Sequence, residues 1–205
     1  MSGRNPAPRR SYGGRSAEER RAERRGRLLA AGLELFGTRG YTATSIERLC
    51  ATASVSTRNF YEEFTGREEL LTTLHRTVND RAARAFATAY TEAAKADLPT
   101  RVHNAVHAFV SVTATDPRWA RIAFVEVGPT LDRYSQWENA IRTLIQDAVT
   151  RNEAPPRDYT LTVIAITGAL TALIHHWSTQ NQTIPTDQIT TELTTLIVKA
   201  LTPTP

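Results

Sequence analysis

The residues best suited to chemistry stand together as Ser56-Thr57-Arg58-Asn59, at the start of a short helical period ending near Glu63. Arg can donate two hydrogen bonds to guanine O6 and N7, Asn can pair bidentately with adenine N6 and N7, and a Thr methyl can touch the thymine methyl. With Ser56 as N-cap, Thr57, Arg58 and Asn59 fall on the solvent side of that helix and could read base edges in the major groove. Contacts to the sugar–phosphate backbone are expected from Thr44 and Ser45 at the preceding helix start, from Tyr61, and from Arg67. Arg67 opens the next helix, where free N–H groups and the helix dipole favour an anion. A competing pair is His103 and His107, whose i, i+4 spacing can hold a metal ion. No nearby Cys or acidic pair completes a ligand set, so no metal or cofactor is expected. No nucleophile or cofactor loop points to an enzyme.

The elements that must position these residues read as all-α. The chain has 205 residues, 40% apolar and 22% charged, with ten Gly and ten Pro, which excludes collagen-like, mucin-like and wholly disordered classes. Breakers at Gly37, Gly40, Gly66, Pro99, Pro117, Gly128-Pro129, Pro155-Pro156 and Pro185 separate intervals that carry a helical period and never alternate like strands. About nine helices are expected, over 16–39, 44–51, 56–63, 67–94, 100–114, 117–127, 130–152, 157–179 and 187–201. Ser16 with Glu19, and Thr44 with Glu47, read as capping boxes. The helix after Thr44 buries Ile46, Leu49 and Cys50, and the four residues Thr52 to Val55 separate it from the next, the proportions of a helix-turn-helix. Val55, Phe60 and Phe64 hold the second helix in place.

Charge is uneven along the chain. Residues 1–27 hold nine Arg against three Glu, whereas the remainder carries 16 basic and 18 acidic side chains. A basic arm on a near-neutral body suits a polyanion, either nucleic acid or an anionic membrane surface. Residues 1–15 lack any apolar pattern and are expected to be a disordered basic arm. One cysteine excludes a disulfide framework. The single uncharged stretch of membrane-spanning length, Tyr159 to Trp177, has only eight strongly apolar residues and reads as a buried helix, so no membrane partner is expected.

The segment Gly40 to Leu71, GYTATSIERLCATASVSTRNFYEEFTGREELL, closely resembles the DNA-binding domain of TetR-family transcriptional regulators. The matching features are Phe36, Gly40-Tyr41, Thr44-Ser45-Ile46, Leu49, Ala53, Val55-Ser56, Phe60-Tyr61, Phe64 and Glu69-Leu70. Three departures stand out. Ser54 occupies a position that is usually Gly, which asks the turn to accept a Cβ. Glu63 replaces a common His or Tyr and, beside Glu62, puts two carboxylates near the expected phosphate path. Arg67 replaces a usual Lys and keeps its charge.

The resemblance implies a helix-turn-helix domain over 16–66 and a ligand-binding and dimerisation domain over 67–205. It also implies a small-molecule site within the central helices, for which Phe86, Tyr90, Phe109, Trp119, Phe124, Trp137 and His175 are candidates, with further polar tips from His107, Glu126 and Asn139. The last two helices carry apolar stripes and a small-residue face, so Ala165, Gly168, Ala169, Ala172, Ile189, Leu193, Leu196 and Ile197 are candidates for a four-helix homodimer interface. The expected function is a cytoplasmic, ligand-responsive transcriptional regulator, a repressor, bound as a homodimer to a pseudo-palindromic double-stranded DNA operator and released by a small-molecule effector. Competing readings are a metal-dependent helical-bundle enzyme using His103 and His107, and a membrane-surface protein using the Arg-rich arm.

Overall fold

Five of the helices begin where a cap side chain accepts from a free first-turn amide. The computed structural model describes residues 16–126, 135–180 and 182–202, and these hold nine α-helices and no strand. Helix α1 (Ala17–Arg39) opens on the expected capping box. Ser16 N donates to Glu19 Oε2 at 2.6 Å and Glu19 N to Ser16 Oγ at 3.0 Å. It ends at Gly40, whose φ of 89° lies in the region that glycine enters without strain. Helix α2 (Ile46–Ala53) is capped by Ser45, which accepts from Arg48 N at 3.3 Å. The cap therefore falls one residue later than the sequence suggested. Thr44 is buried and donates its hydroxyl to the carbonyl of Gly40 at 2.9 Å, so its oxygen is committed elsewhere.

Helix α3 (Thr57–Glu63) starts at Ser56, which accepts from Asn59 N at 3.2 Å. Helix α4 (Arg67–Glu92) follows Gly66. Asp97 and Asp116 cap α5 (Leu98–Ala114) and α6 (Pro117–Phe124), each with a proline in its first turn, where the missing N–H costs nothing. Helices α7 (Ser135–Thr150), α8 (Thr160–Thr179) and α9 (Thr186–Leu201) complete the chain. The arm expected at residues 1–15 and the beginning of the seventh interval lie outside the described residues.

One hydrophobic core runs from Leu28 of α1 to Leu201 of α9. Helix α4 belongs to both ends of it. Leu70, Leu71 and Leu74 are buried near α1, where a Cβ on Gly32 would meet Leu74 at 2.9 Å, and Val78, Phe86 and Tyr90 are buried farther along. Helix α5 packs against α4 and α9, and α6 touches α1, α4, α5 and α8. Fully buried Trp137, Trp177 and Phe109 anchor the bundle, each contributing about 1.5–3 kcal/mol or more of transfer free energy. A buried charge closes its far end. Arg101 pairs with Glu153 after α7, lies 3.6 Å from Asp147, and donates to the carbonyl of Ala96 at 2.6 Å.

Helix α8 is the one helix among the described residues long and apolar enough to cross a bilayer by length and composition. Its stripe of Val163, Ile166, Leu170, Ile174 and Trp177 is buried within the chain, as in the core helix of a bundle.

Candidate nucleic-acid interface

The turn between α2 and α3 is fixed from within. Val55 N donates to Cys50 O at 2.9 Å and Ser54 N to Ala51 O at 3.3 Å. Ser54 adopts φ 52° and ψ 48°, so the residue found where a glycine is usual does carry a Cβ in the left-handed region. Leu49, Cys50, Ala53, Val55, Phe60 and Phe64 are all buried, with the Phe60 and Phe64 rings 6.0 Å apart. Burial pushes the Cys50 thiol up, in keeping with a small apolar core residue.

What remains outside is the other face of α3. Ser56 and Thr57 are exposed, Asn59 is half-buried, Tyr61 is 55% exposed, and the Arg58 side chain is 90% exposed. Three kinds of group thus stand on one short, rigid helix: a guanidinium, an amide, and the hydroxyls of Thr57 and Tyr61. The arrangement can donate to guanine, pair with adenine and contact phosphate oxygens.

Two expected backbone contacts are redirected inward. Thr44 is buried, as described. Arg67 turns its guanidinium over the Tyr41 ring, 4.8 Å from the centroid, and donates from Nη1 to the carbonyls of Tyr41 (3.3 Å) and Thr44. Carbonyls of the α1–α2 turn face the start of α4, and Arg67 is the donor placed to satisfy them. Ser45 remains exposed at the start of α2.

Glu63 also differs from expectation. Instead of flanking the phosphate path as a free carboxylate, it is buried against α1. It accepts from Arg21 Nε at 3.2 Å and from Arg24 Nε and Nη2 at 3.2 and 2.8 Å, while its carbonyl accepts from Arg25 Nη1 at 2.7 Å. Arg25 in turn covers the Phe64 ring at 4.2 Å. Burial alone would raise the Glu63 pKa, but the hydrogen bonds from Arg24 and Arg21 outweigh it and hold the carboxyl below the usual range. Glu62 is more open and lies 3.7 Å from Arg58 Nε and 3.4 Å from Arg24 Nη2. The sequence contained a signal for this. Arg21, Arg24 and Arg25 recur at i, i+3 and i+4, which puts them on one face of α1, though the spacing does not name the carboxylates they meet.

The helix-turn-helix is also held from the bundle side. Glu126, an expected pocket tip, accepts from Tyr41 N at 2.8 Å and from Arg121 Nε at 2.8 Å. Arg118 of α6 pairs with Asp116 at 2.7 Å and with Glu34 of α1. A Cβ on Gly37 would stand 2.5 Å from Arg118 Cβ, so α1 and α6 approach closely there.

The candidate ligand residues divide. Phe86 and Tyr90 line a cavity of about 240 Å³ between α4 and α7, together with Thr91, Asn139, Thr143 and Leu144. Phe109, Phe124 and Trp137 instead fill the core. The Phe109 centroid lies 4.7 Å from Trp137 and 6.2 Å from Phe124, and Trp137 Nε1 donates to Asn79 Oδ1 at 3.1 Å. Their faces are covered by one another. Trp119 sits half-buried under Arg81 at 4.0 Å, and His175 is exposed and donates from Nδ1 to the carbonyl of Phe124 at 2.8 Å. Tyr90 hydrogen-bonds Asp147 at 2.8 Å, and burial first, with Asp147 adding, pushes its hydroxyl up to about 12. His107 lines a separate surface groove with Glu92 and Asn104, and its ring stacks on His103 at 6.2 Å. No group of three or more potential metal ligands occurs among the described residues.

The candidate association surface also divides. Ile189, Leu193 and Ile197 are buried in the chain's own core because α9 lies on α5, so they are not available to a second copy. Ala165 and Ala172 are exposed, and Gly168 and Ala169 are half-buried. Leu196, Ile164 and Leu161, the last 80% exposed, extend that patch.

Residues 28–74 match the family described as "Bacterial regulatory proteins, tetR family". No curated protein matches the chain. Among solved structures, the fatty acid degradation regulator FadR from Bacillus halodurans aligns with a TM-score of 0.75 at 15% identity, covering 85% of this chain and 94% of its own. FadR from Bacillus subtilis in complex with stearoyl-CoA aligns with a TM-score of 0.70 at 15% identity, covering 86% and 98%. A tetR-family regulatory protein from Rhodococcus RHA1 aligns with a TM-score of 0.67 at 20% identity, covering 89% and 98%. At these identities the likeness establishes the shared fold.

Proposed function

We propose that this chain, whose residues 28–74 match the tetR family of bacterial regulatory proteins, is a ligand-responsive repressor and not an enzyme, acting in the cytoplasm. On this reading a homodimer binds a pseudo-palindromic operator and a small molecule releases it. The observation that carries the proposal is the two-sidedness of α3: Phe60 and its neighbour Phe64 are locked in the core, while Thr57, Arg58 and Tyr61 face out.

Residues 16–66 form the DNA-reading unit, and the chain from residue 67 onward forms the effector and association unit. Arg58 reads a guanine, Asn59 an adenine and Thr57 a thymine methyl, while Ser45, Ser56 and Tyr61 contact the backbone. The exposed patch of Leu161, Ile164, Ala165, Ala172 and Leu196, with half-buried Gly168 at its centre, meets its counterpart on a second copy, which would set two α3 helices about one turn of DNA apart. The effector enters beside Phe86 and Tyr90. Its proposed class is an apolar chain with a polar head, supported by the apolar cavity wall and by the stearoyl-CoA held by the B. subtilis neighbour. Moving operator occupancy from 99% to 1% requires the effector to prefer the released state by about 5.5 kcal/mol. Helices α4 and α6 are placed to transmit that preference, because each touches both α1 and the bundle.

The test is selection of bound fragments from random duplex DNA by the full chain. An inverted repeat with half-sites about 10 base pairs apart, centre to centre, is expected. Retention with no preferred sequence at any salt concentration overturns the reading. Arg58→Ala is expected to lower discrimination at one base position by about 1–3 kcal/mol.

A further inference from the structure

Phosphate contact in this interface calls for cations beyond Arg67, whose Nη1 is given to internal carbonyls, and it cannot come from buried Thr44. Both are engaged inside the protein, and the exposed backbone-contact candidates that remain, Ser45, Ser56 and Tyr61, are uncharged. Besides Arg58, the cations that pair with the carboxylates of the reading helix are on α1. Arg58, Glu62, Arg24, Glu63 and Arg21 form an alternating chain of charges that runs from the exposed face of α3 onto the N-terminal half of α1. We propose that Arg21 and Arg24 form a second DNA-contact element, a phosphate-binding edge on α1, and that buried Glu63 is the positioning residue that holds it in register with α3. This rests on the DNA-reading function proposed above and specifies where its sequence-independent grip resides.

Three features of the geometry support the assignment. Arg21 meets Glu63 only through Nε and its side chain stays 64% exposed, so the outer edge of its guanidinium fork is presented to solvent. A planar fork held on one edge is preorganised to take a phosphate on the other, with less side-chain freedom left to lose on binding. Second, Arg24 touches both Glu62 and Glu63, which puts it one side chain away from Arg58. A strand whose bases met Arg58 would run its phosphates past α1. Third, with Arg25 on the Glu63 carbonyl and within reach of Glu69, four guanidiniums stand against three carboxylates, so the cluster keeps a positive balance after its internal pairing. Arg21, Arg24 and Arg25 all precede residues 28–74, the part that matches the family.

The experiment uses the full chain, a duplex carrying the selected site, and a scrambled duplex of equal length, each titrated at several salt concentrations. Arg21→Ala is expected to weaken binding to both duplexes and to lower the slope of log affinity against log salt by about one, and Arg21→Ala with Arg24→Ala by about two. The selected sequence should not change. Glu63→Gln makes the protein more positive, yet it is expected to weaken both duplexes by about threefold, because a neutral amide no longer fixes the two forks. A slope unchanged in the Arg21→Ala protein, or Glu63→Gln binding more tightly than wild type, overturns the inference. Arg21 is largely exposed, so its variant tests the proposal even where Arg24→Ala disturbs the fold. A wild-type chain with no preference between the duplexes would strike the DNA-reading function itself. Wild-type preference with unaltered salt slopes in the variants would strike only the phosphate edge.

Discussion

The α1–α3 region and the α4–α9 bundle use the same side-chain types to opposite ends. In the first, two aromatic residues and a few aliphatics anchor a seven-residue helix so that its polar face projects outward. In the second, Phe109, Phe124 and Trp137 lie against one another, while Phe86 and Tyr90 line a cavity. A reading surface can be specified by neighbours in sequence, because one turn of helix decides which residues face out. A ligand site is specified by which distant helices happen to meet. The difference suggests that the bundle can be altered without touching base recognition, whereas one residue in the α2–α3 turn affects both stability and reading geometry.

Substitutions can break that contrast or sharpen it. The largest effect is expected from Trp137→Ala, which removes the fully buried ring between Phe86 and Phe109 and should cost about 3–5 kcal/mol in denaturant unfolding. Base preference in the remaining folded protein should stay as in wild type, and a changed selected site would break the separation of the two regions. Gly37→Ala comes next. Its new Cβ meets Arg118 at the α1–α6 contact, and about 1–3 kcal/mol should be lost, read as a lower Tm together with weaker DNA binding. Ser54→Gly should gain about 1 kcal/mol by relieving the left-handed backbone of a side chain, and a change in base discrimination beside that gain sharpens the contrast, whereas unchanged discrimination breaks it. The smallest change is Gly26→Ala on α1, where a Cβ meets nothing within 4 Å. A gain of about 0.5–1 kcal/mol in thermal unfolding is expected.

The elements were readable where the deciding interaction is local. Ser16 with Glu19 and Ser56 with Asn59 are caps closed within one turn, and both starts fall where the sequence places them. Thr44 and Ser45 are equally good caps on chemistry alone, and the choice went to Ser45 because the Thr44 hydroxyl bonds back to Gly40. The candidate site was readable only in part. Exposure of Thr57 and Arg58 follows from helical period, but the inward turn of Arg67 depends on carbonyls 26 and 23 residues earlier. The stripe on α9 was visible as a stripe, and nothing in its spacing could say that α5 of the same chain, and not another copy, would cover it. The Arg21–Glu63 link spans 42 residues, and it emerges only when α1 is laid along α3.

The hydrogen bond from Tyr41 N to Glu126 gives the molecule a built-in spectroscopic probe. That amide proton opens the turn into α2, yet its acceptor arrives from 85 residues away, beyond the end of α6. Its isotope-exchange rate and chemical shift therefore track the distance between the two halves of the protein, and one resonance in a labelled sample follows any movement of α6 away from α1 as it happens.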